Sequence, residues 1–520
     1  MRPGDRRLRI GSLTDSDPAP EVELFRKPRP CYELVRFVLL RLLGFVYLAA
    51  FCSLATQVRP LLGQDGLTPA AKYVGRIVAA SSRWQGFVRL PSLFFLHASD
   101  GLLVGLAWTG VLLSLLLLCG YASAILLAVL WALYLSYVHI GQIWYGYGWE
   151  LLLCETGFLA IFLVPLLDGR PFPRRPTPEP IIWLLRWLAL RVMLGAGLIK
   201  LRGDSCWREL TCLFYHYETQ PLPNPLSWLL NQAPPWLHKL GVLWNHFIEL
   251  VCPLGLFGPR RLAAVAGFLQ IAFQLTLILS GNLAFLNWLT LTLAVACFDD
   301  QALARVLPRR LGEHAAALGR AAVPSPVQRG LGWALLILVA GLSIQPVVNL
   351  LSPGQLMNSS FDRLHLVNTY GAFGSVGRTR NEIVLLGTDG VPTDGKVRWR
   401  EYEFKCKPGD IHRRPCVVAP YQLRLDWQIW FAAMSSYDRE PWLLHLIYKL
   451  LQGDRGALSL LASDTVLLTS VVLSDPVPVP VPALPSTSLP PQPVSIHAPS
   501  HAAQNPLAPA IIVRIPKPTL

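Results

Sequence analysis

Apolar and polar positions along this chain are gathered into long blocks. Val35–Ala55 is apolar over roughly the twenty residues that a spanning helix needs, broken once by Arg41. Further apolar runs occupy Leu102–Leu118, Ala122–Ile143, Leu151–Leu167, Ile181–Ile199, Val242–Phe257, Leu262–Cys297 and Leu331–Leu351. By length they make about eight candidate spans. Several are short or carry charge, which suits interfacial or re-entrant segments. Leu262–Cys297 is long enough for two passes if it breaks at Ser280-Gly281-Asn282. Only an odd total puts the chain after Leu351 opposite the N-terminus.

Beyond Leu351 the period changes. Residues 353–474 alternate polar and apolar positions like a half-buried sheet. In Trp399–Cys406, Tyr402, Phe404 and Cys406 share one face, with Glu401, Glu403 and Lys405 on the other. Asn381–Gly387 is a second strand candidate, with a Gly- and Pro-rich loop between the two. Asp426–Met434 and Trp442–Leu451 read as helices. From Asp475 the chain is Pro-rich and cannot bury a core. The expected fold is an α-helical polytopic membrane bundle (31–352), then a smaller luminal β-rich (α+β) domain (353–474) and a disordered Pro-rich tail (475–520). Residues 1–30 form a polar tail with no cleavable signal pattern. Its arginines favour a cytosolic N-terminus, with Leu61 onward emerging in the lumen.

Composition agrees with lipid as the solvent. The chain is 52% hydrophobic and 15% charged, against roughly a quarter charged in soluble domains. Lys and Arg outnumber Asp and Glu 46 to 32, yet no basic run with interleaved aromatics suggests nucleic acid. The excess fits loop charge that sets membrane orientation. Cys206 and Cys212, like Cys406 and Cys416, lie in polar sequence at short spacing. Pairing within each couple would suit an oxidising lumen, although spacing does not fix connectivity. The other cysteines lie in or beside apolar runs, where a thiol is usually a small packing residue.

The local motifs resolve mostly into structure. Gly390–Lys396 has phosphate-loop spacing, but Val397 stands where Ser or Thr would hold magnesium, so it reads as a turn. Gly371, Gly374 and Gly377 also suit turns. His246 and Glu249 share a helix face, and His216 and Glu218 lie close together. Neither couple has a third ligand at metal spacing, so no metal or cofactor is expected. Asn358-Ser359-Ser360 is a glycosylation acceptor, meaningful only in a lumen. Glu150, Glu155, Arg186 and Arg191 border or enter apolar runs, where ionisable groups are costly. A structural Glu155–Arg191 pair is one reading, and snorkelling to the interface is another. A proton or substrate pathway is the sharper alternative.

One stretch concentrates chemistry. Gly195–Trp228 packs cysteines, acids, a histidine, aromatics and prolines between two apolar blocks, as a functional loop would. Trp207, Phe214, Tyr215, Tyr217, Trp228 and Trp236, beside Arg202, Arg208 and Glu218, are of types enriched at binding hot spots. The same aromatics also suit anchors at headgroup level.

The sequence resembles the lipase maturation factor family. The resemblance is carried by WYGYGWELLLCETGFLAIFLVPL (144–166), LGAGLIKLRGDSCWRELTCLFYHYETQPLPNP (194–225), NHFIELVCP (245–253), SGNLAFLNWLTLTLAVACFDD (280–300), LHLVNTYGAFGSV (364–376) and EYEFKCKPGDIHRRPCVVAPYQLRLDWQIWFAAM (401–434). It implies a multi-pass endoplasmic reticulum membrane protein, usually given five spans, with a cytosolic N-terminus and a luminal C-terminal domain. It also implies a non-enzymatic, chaperone-like role toward lipoprotein lipase, hepatic lipase and endothelial lipase. A luminal client loop would correspond to roughly 200–260, placing Arg202, Trp207, Arg208, Tyr215, Tyr217, Glu218 and Trp228 as client-binding residues. The chain departs from the family after the Leu444–Leu460 region. There LASDTVLLTSVVLSDPVPVPVP replaces a segment rich in Arg, Tyr and Trp. Two other classes fit the same layout: a membrane-embedded enzyme arranged like vitamin K-dependent carboxylase, and a transporter.

Overall fold

A computed structural model describes residues 31–321, 325–388, 400–435, 439–462 and 470–473. Residues 1–30, the Gly390–Lys396 loop and the Pro-rich tail lie outside the described residues. The first apolar block forms one helix, Glu33–Leu62, about 45 Å long at 1.5 Å per residue. Its own N-cap, Tyr32, supplies no side-chain acceptor. Asp300, far along the chain, does so instead. Its carboxylate accepts the N–H groups of Glu33, Leu34 and Val35 at 2.9, 2.9 and 3.2 Å. Against this helix packs Asp100–Cys119, and small residues let the two approach closely. A Cβ on Gly44 would meet the Leu118 backbone at 2.8 Å, and one on Gly110 the Phe51 ring at 2.2 Å.

Contacts at the helix ends trace the chain back and forth between two ends of a bundle. At the end where Glu33–Leu62 begins, here called proximal, Gly120 accepts from Arg41, and Leu163 and Arg175 accept from Arg36. There too Arg260 pairs with Asp299, and Gln328 donates to Pro176. At the distal end, Asp100 meets Arg59, and Gln142 and Trp144 donate to Thr68. Gln220 donates there to Ser280, and Gln355 to Gly195. Among the described residues this makes nine passes, one for each apolar run and two for Leu262–Cys297. That run does break where expected, with helices Arg260–Ser280 and Leu286–Ala294 either side of the gap. Nine is odd, so residues 353 onward leave from the distal end.

The passes are not equivalent. Glu33–Leu62, Asp100–Cys119, Glu179–Arg202, Pro235–Phe257 and Arg260–Ser280 make five helices long and apolar enough to cross a membrane, by length and composition. Pro326–Leu342 and Ile344–Leu351, bent by 40°, would make a sixth if they act as one. Ala124–Ile140 and Leu286–Cys297 are shorter. Gly148–Ile161, cut from the expected Leu151–Leu167 span, is buried almost throughout. Hydropathy counted it because a core helix and a lipid-facing one are equally apolar.

The C-terminal region is α+β, with a thin sheet. Strands β1 (Leu385–Thr388), β2 (Arg400–Glu401) and β3 (Ser470–Leu473) lie in the order β2-β1-β3, all antiparallel, with Leu386 opposite both Glu401 and Val472. The alternation extends past β2, for Tyr402, Phe404 and Cys406 are buried while Glu401, Glu403 and Lys405 are not. Helices Arg424–Ala432 and Pro441–Leu451 stand close to the expected ranges.

Candidate functional site

The 203–234 stretch caps the distal end. Helix Glu179–Arg202 stops at Gly203, whose N–H closes back on Ile199 O, while Asp204 N–H donates to Gly374 O at 2.9 Å. The Asp204 carboxylate then accepts from Cys206 N–H and starts the short turn Ser205–Arg208. Cys206 and Cys212 are disulfide-bonded, as are Cys406 and Cys416. Helix Leu213–Thr219 follows, and a reciprocal Asn224–Ser227 capping box opens Pro225–Asn231.

Trp207 does not face outward. It is 2% exposed and forms a small core with Cys206, Cys212, Val242 and Val376. Its indole N–H donates to Phe373 O at 2.8 Å, and the Lys200 ammonium stands 4.9 Å from the ring centroid. A tryptophan so enclosed positions the cap and cannot touch a partner directly. Lys200 itself is buried, with Nζ 2.6 Å from Glu249 and 2.9 Å from Asn245. Glu249 lies in a π-helical turn, Phe247–Val251, while His246 Nε2 lies 3.0 Å from Trp207 O. The one-turn couple His246 and Glu249 thus serves two different partners. Burial, with Lys200 nearby, lowers the His216 pKa to about 4, so its ring is neutral near pH 7.

The remaining residues lie nearer the surface. Arg202 donates to Gln355 Oε1 at 2.7 Å, and exposed Arg208 to Leu201 O at 2.7 Å. Arg378 lies over the half-buried Tyr215 ring, Tyr217 packs against His238, and Glu218 accepts from Asn231. Trp228 and Trp236 are exposed at the distal end of a stripe formed by Leu240, Leu243, Phe247, Val251 and Leu254. Steps of three and four put that stripe on one helix face, an exposed apolar side of Pro235–Phe257.

Buried charges and amides lock cap, bundle and C-terminal region together. Arg191 pairs with Glu155, whose Oε2 also accepts from Asn368 N–H at 3.0 Å and Tyr370 OH at 2.7 Å. Arg424 meets Glu150 at 2.9 Å, and its guanidinium carbon lies 3.5 Å from the Tyr145 ring centroid. Asn282 is 1% exposed. Its Nδ2 donates to Leu222 O and Cys416 O, and its Oδ1 accepts from Val418 N–H. Arg380 donates to Glu218 O and Pro221 O and pairs with Glu382. In the sequence, apolar surroundings mark Glu150 and Glu155, whereas Asn282 shows only as part of a helix break. Asn358 has a left-handed backbone, and its side chain sits against Gly148 with Oδ1 accepting from Gly371 N–H. Among the described residues, no group of three or more His, Cys, Asp or Glu side chains could hold a metal.

Comparison with known proteins bears on both regions. Residues 34–305 match the model of the lipase maturation factor transmembrane domain, and 366–470 that of the lipase maturation factor C-terminal domain. The chain is 46% identical to lipase maturation factor 1 of Bos taurus over 490 residues, 88% of this chain and 87% of that protein. It is 45% identical to lipase maturation factor 1 of Homo sapiens over 452 residues, 83% of this chain and 80% of that protein. With lipase maturation factor 2 of Homo sapiens it shares 31% identity over 547 residues, covering 83% and 76%. No solved structure matches the chain.

Proposed function

This chain belongs to the lipase maturation factor family and is a multi-pass membrane protein, and on that footing we propose that it matures secreted lipases without being an enzyme. Its site of action is the endoplasmic reticulum membrane, with the proximal end cytosolic and the distal end luminal. Arg170, Arg174, Arg175, Arg260, Arg261, Arg305, Arg309 and Arg310 in the proximal connectors favour that orientation. Its clients are dimeric lipases: lipoprotein lipase, hepatic lipase and endothelial lipase.

The observation that carries the reading is the joint between the 203–234 cap and the C-terminal region. Asn282 and Arg380 hold both on one end of the bundle, making a single rigid surface. Such a surface can bind an assembly-competent lipase subunit and shift its population by mass action, with no fuel. Arg208, Tyr215, Tyr217, Glu218 and Trp228 are its contact side chains; Trp207 and Arg202 brace it from beneath. The test is secreted lipase activity in cells lacking the factor, rescued by the full chain and by residues 1–474. Restoration by both supports the reading, and no restoration by either, at normal protein level, refutes it.

A second reading has one observation in its favour. Buried Lys200 meets Asn245 on the helix Pro235–His246 and Glu249 on the π-helical turn that follows it, and such turns are often found at functional sites. A membrane enzyme would then lose activity in Lys200→Gln while expression and client capture stay intact.

A further inference from the structure

Six cations are buried among the described residues: Arg36, Arg186, Arg191, Lys200, Lys407 and Arg424. Five have a carboxylate partner, respectively Glu33, Glu155, Glu249, Glu382 and Glu150 for all but Arg186. Among the described residues Arg186 has no ion pair. Its Nε donates to Ala296 O at 2.8 Å and its Nη1 reaches Leu256 O at 3.4 Å, while the Trp183 ring lies 5.1 Å away. Carbonyls, the Tyr32 hydroxyl and a ring solvate the guanidinium without cancelling its charge, and no carboxylate is paired with it directly.

Arg186 faces the place where a counter-charge would fit. It lines a polar cavity of about 100 Å³ at the proximal end with Tyr32, Glu179, Trp183, Arg260 and Asp299. That volume exceeds the roughly 10–15 Å³ one water needs on this measure. The floor includes the first residue of helix Arg260–Ser280, whose N-cap is Pro259 and offers no side-chain acceptor. Asp299 is already engaged, paired with Arg260 and accepting from Ala302 N–H. Glu179 lies two turns from Arg186 on the same helix face and, among the described residues, accepts only a long 3.4 Å bond from Trp183. The cavity therefore presents one cation with no directly paired carboxylate and one weakly engaged anion.

Beyond Phe298, which lines both spaces, an apolar groove of about 410 Å³ runs along helix Arg260–Ser280. Val265, Phe268, Ile271, Leu303 and Val306 wall it, and Val265, Phe268 and Val306 are exposed. This helix is among those long enough to cross the membrane, so the groove lies where acyl chains are. We propose that the two spaces form one site for a zwitterionic phospholipid, its phosphate on Arg186, its amine toward Glu179 and one acyl chain in the groove. Charge complementarity selects the headgroup, and the adjoining groove selects a lipid over free phosphate.

The test uses the full chain purified in detergent, washed free of bulk lipid, and exposed to vesicles of phosphatidylethanolamine, phosphatidylglycerol or diacylglycerol. Native mass spectrometry then counts retained lipid. Phosphatidylethanolamine should be held at one per chain, and Arg186→Gln should reduce that about tenfold or more. Glu179→Gln should shift retention toward phosphatidylglycerol. Equal retention of diacylglycerol, or unchanged retention in a folded Arg186→Gln protein, overturns the proposal. Inorganic phosphate that raises the thermal midpoint of the delipidated protein as much as the lipid does would assign the site to free phosphate and overturn the lipid reading. If Arg186→Gln does not fold, Val265→Trp decides. It fills the groove from an exposed position, and undiminished retention there refutes the site.

Discussion

Glu155 and Arg191 stand on neighbouring helices, each 1% exposed at its side chain, and close an ion pair that a third segment completes. Asn368 N–H and Tyr370 OH donate to the Glu155 carboxylate, and Arg191 Nη1 donates to Asn368 O at 2.7 Å. These partners fix the polarity of the pair. Exchanging the two charges would aim a guanidinium at an N–H and a hydroxyl already turned outward as donors.

A buried pair costs most when half of it is removed. Glu155→Gln and Arg191→Met should each lower stability by roughly 3–5 kcal/mol, and the double variant by clearly less than their sum. The charge-swapped pair should not recover. Thermal midpoints of detergent-purified protein check this cycle, and strict additivity would show that the two side chains are not coupled.

The cap offers a contrast between two tryptophans. Trp207→Phe keeps most of the ring but loses the bond to Phe373 O, at a cost of about 1 kcal/mol. Trp207→Ala empties a small core and should cost about 3–5 kcal/mol. Trp228→Ala, at an exposed position, should stay within about 0.5 kcal/mol of the parent. If Trp228 contacts the client, secreted lipase activity falls in that variant at constant protein level. Unchanged activity would leave Trp228 as a headgroup anchor.

What was legible follows from the range of the forces involved. Most apolar blocks, the break at Ser280-Gly281-Asn282 and the alternation of Tyr402, Phe404 and Cys406 are local patterns and appear where the sequence put them, whereas Leu151–Leu167 is cut to the buried Gly148–Ile161. The pairing of Arg424 with Glu150 joins residues 274 positions apart, and that of Asn282 with Cys416 spans 134. No local period encodes such partners. Trp207 misled for a related reason: the same indole suits a hot spot and a core, and only its neighbours decide.

Glu382 should shape the acid limb of stability. Burial alone would raise its pKa, but Lys407 and Arg380 outweigh burial and hold it below the ordinary value of 4.5. A depressed carboxylate contributes stability that is fully present above the unfolded value and is lost as pH falls through the folded one. Glu382→Gln should therefore be less stable at pH 7, by about 3 kcal/mol, with a flatter profile below pH ~4.5. Chemical denaturation across that range is the measurement, and parallel profiles would count against the charge network.

Asp300 predicts the opposite slope at the other end of the molecule. Burial raises its pKa to about 6, the three N–H groups of Val35, Glu33 and Leu34 offset part of that, and the Glu33 charge adds to the rise. Because the folded value exceeds the ordinary 3.8, the folded protein holds this proton more tightly than the unfolded chain. Stability from this group therefore falls as pH rises from about 4 to about 6 and is level above, by at most ~3 kcal/mol. Asp300→Asn keeps one oxygen for the helix N-terminus and removes the titration. It should abolish the slope and gain stability at pH 7 relative to the parent. Asp300→Ala removes the acceptor as well, and the Glu33–Leu62 helix should lose about 1–2 kcal/mol of capping. Thermal midpoints from pH 4 to 7.5 separate the two effects, and a slope that persists in Asp300→Asn would mean that another group carries it.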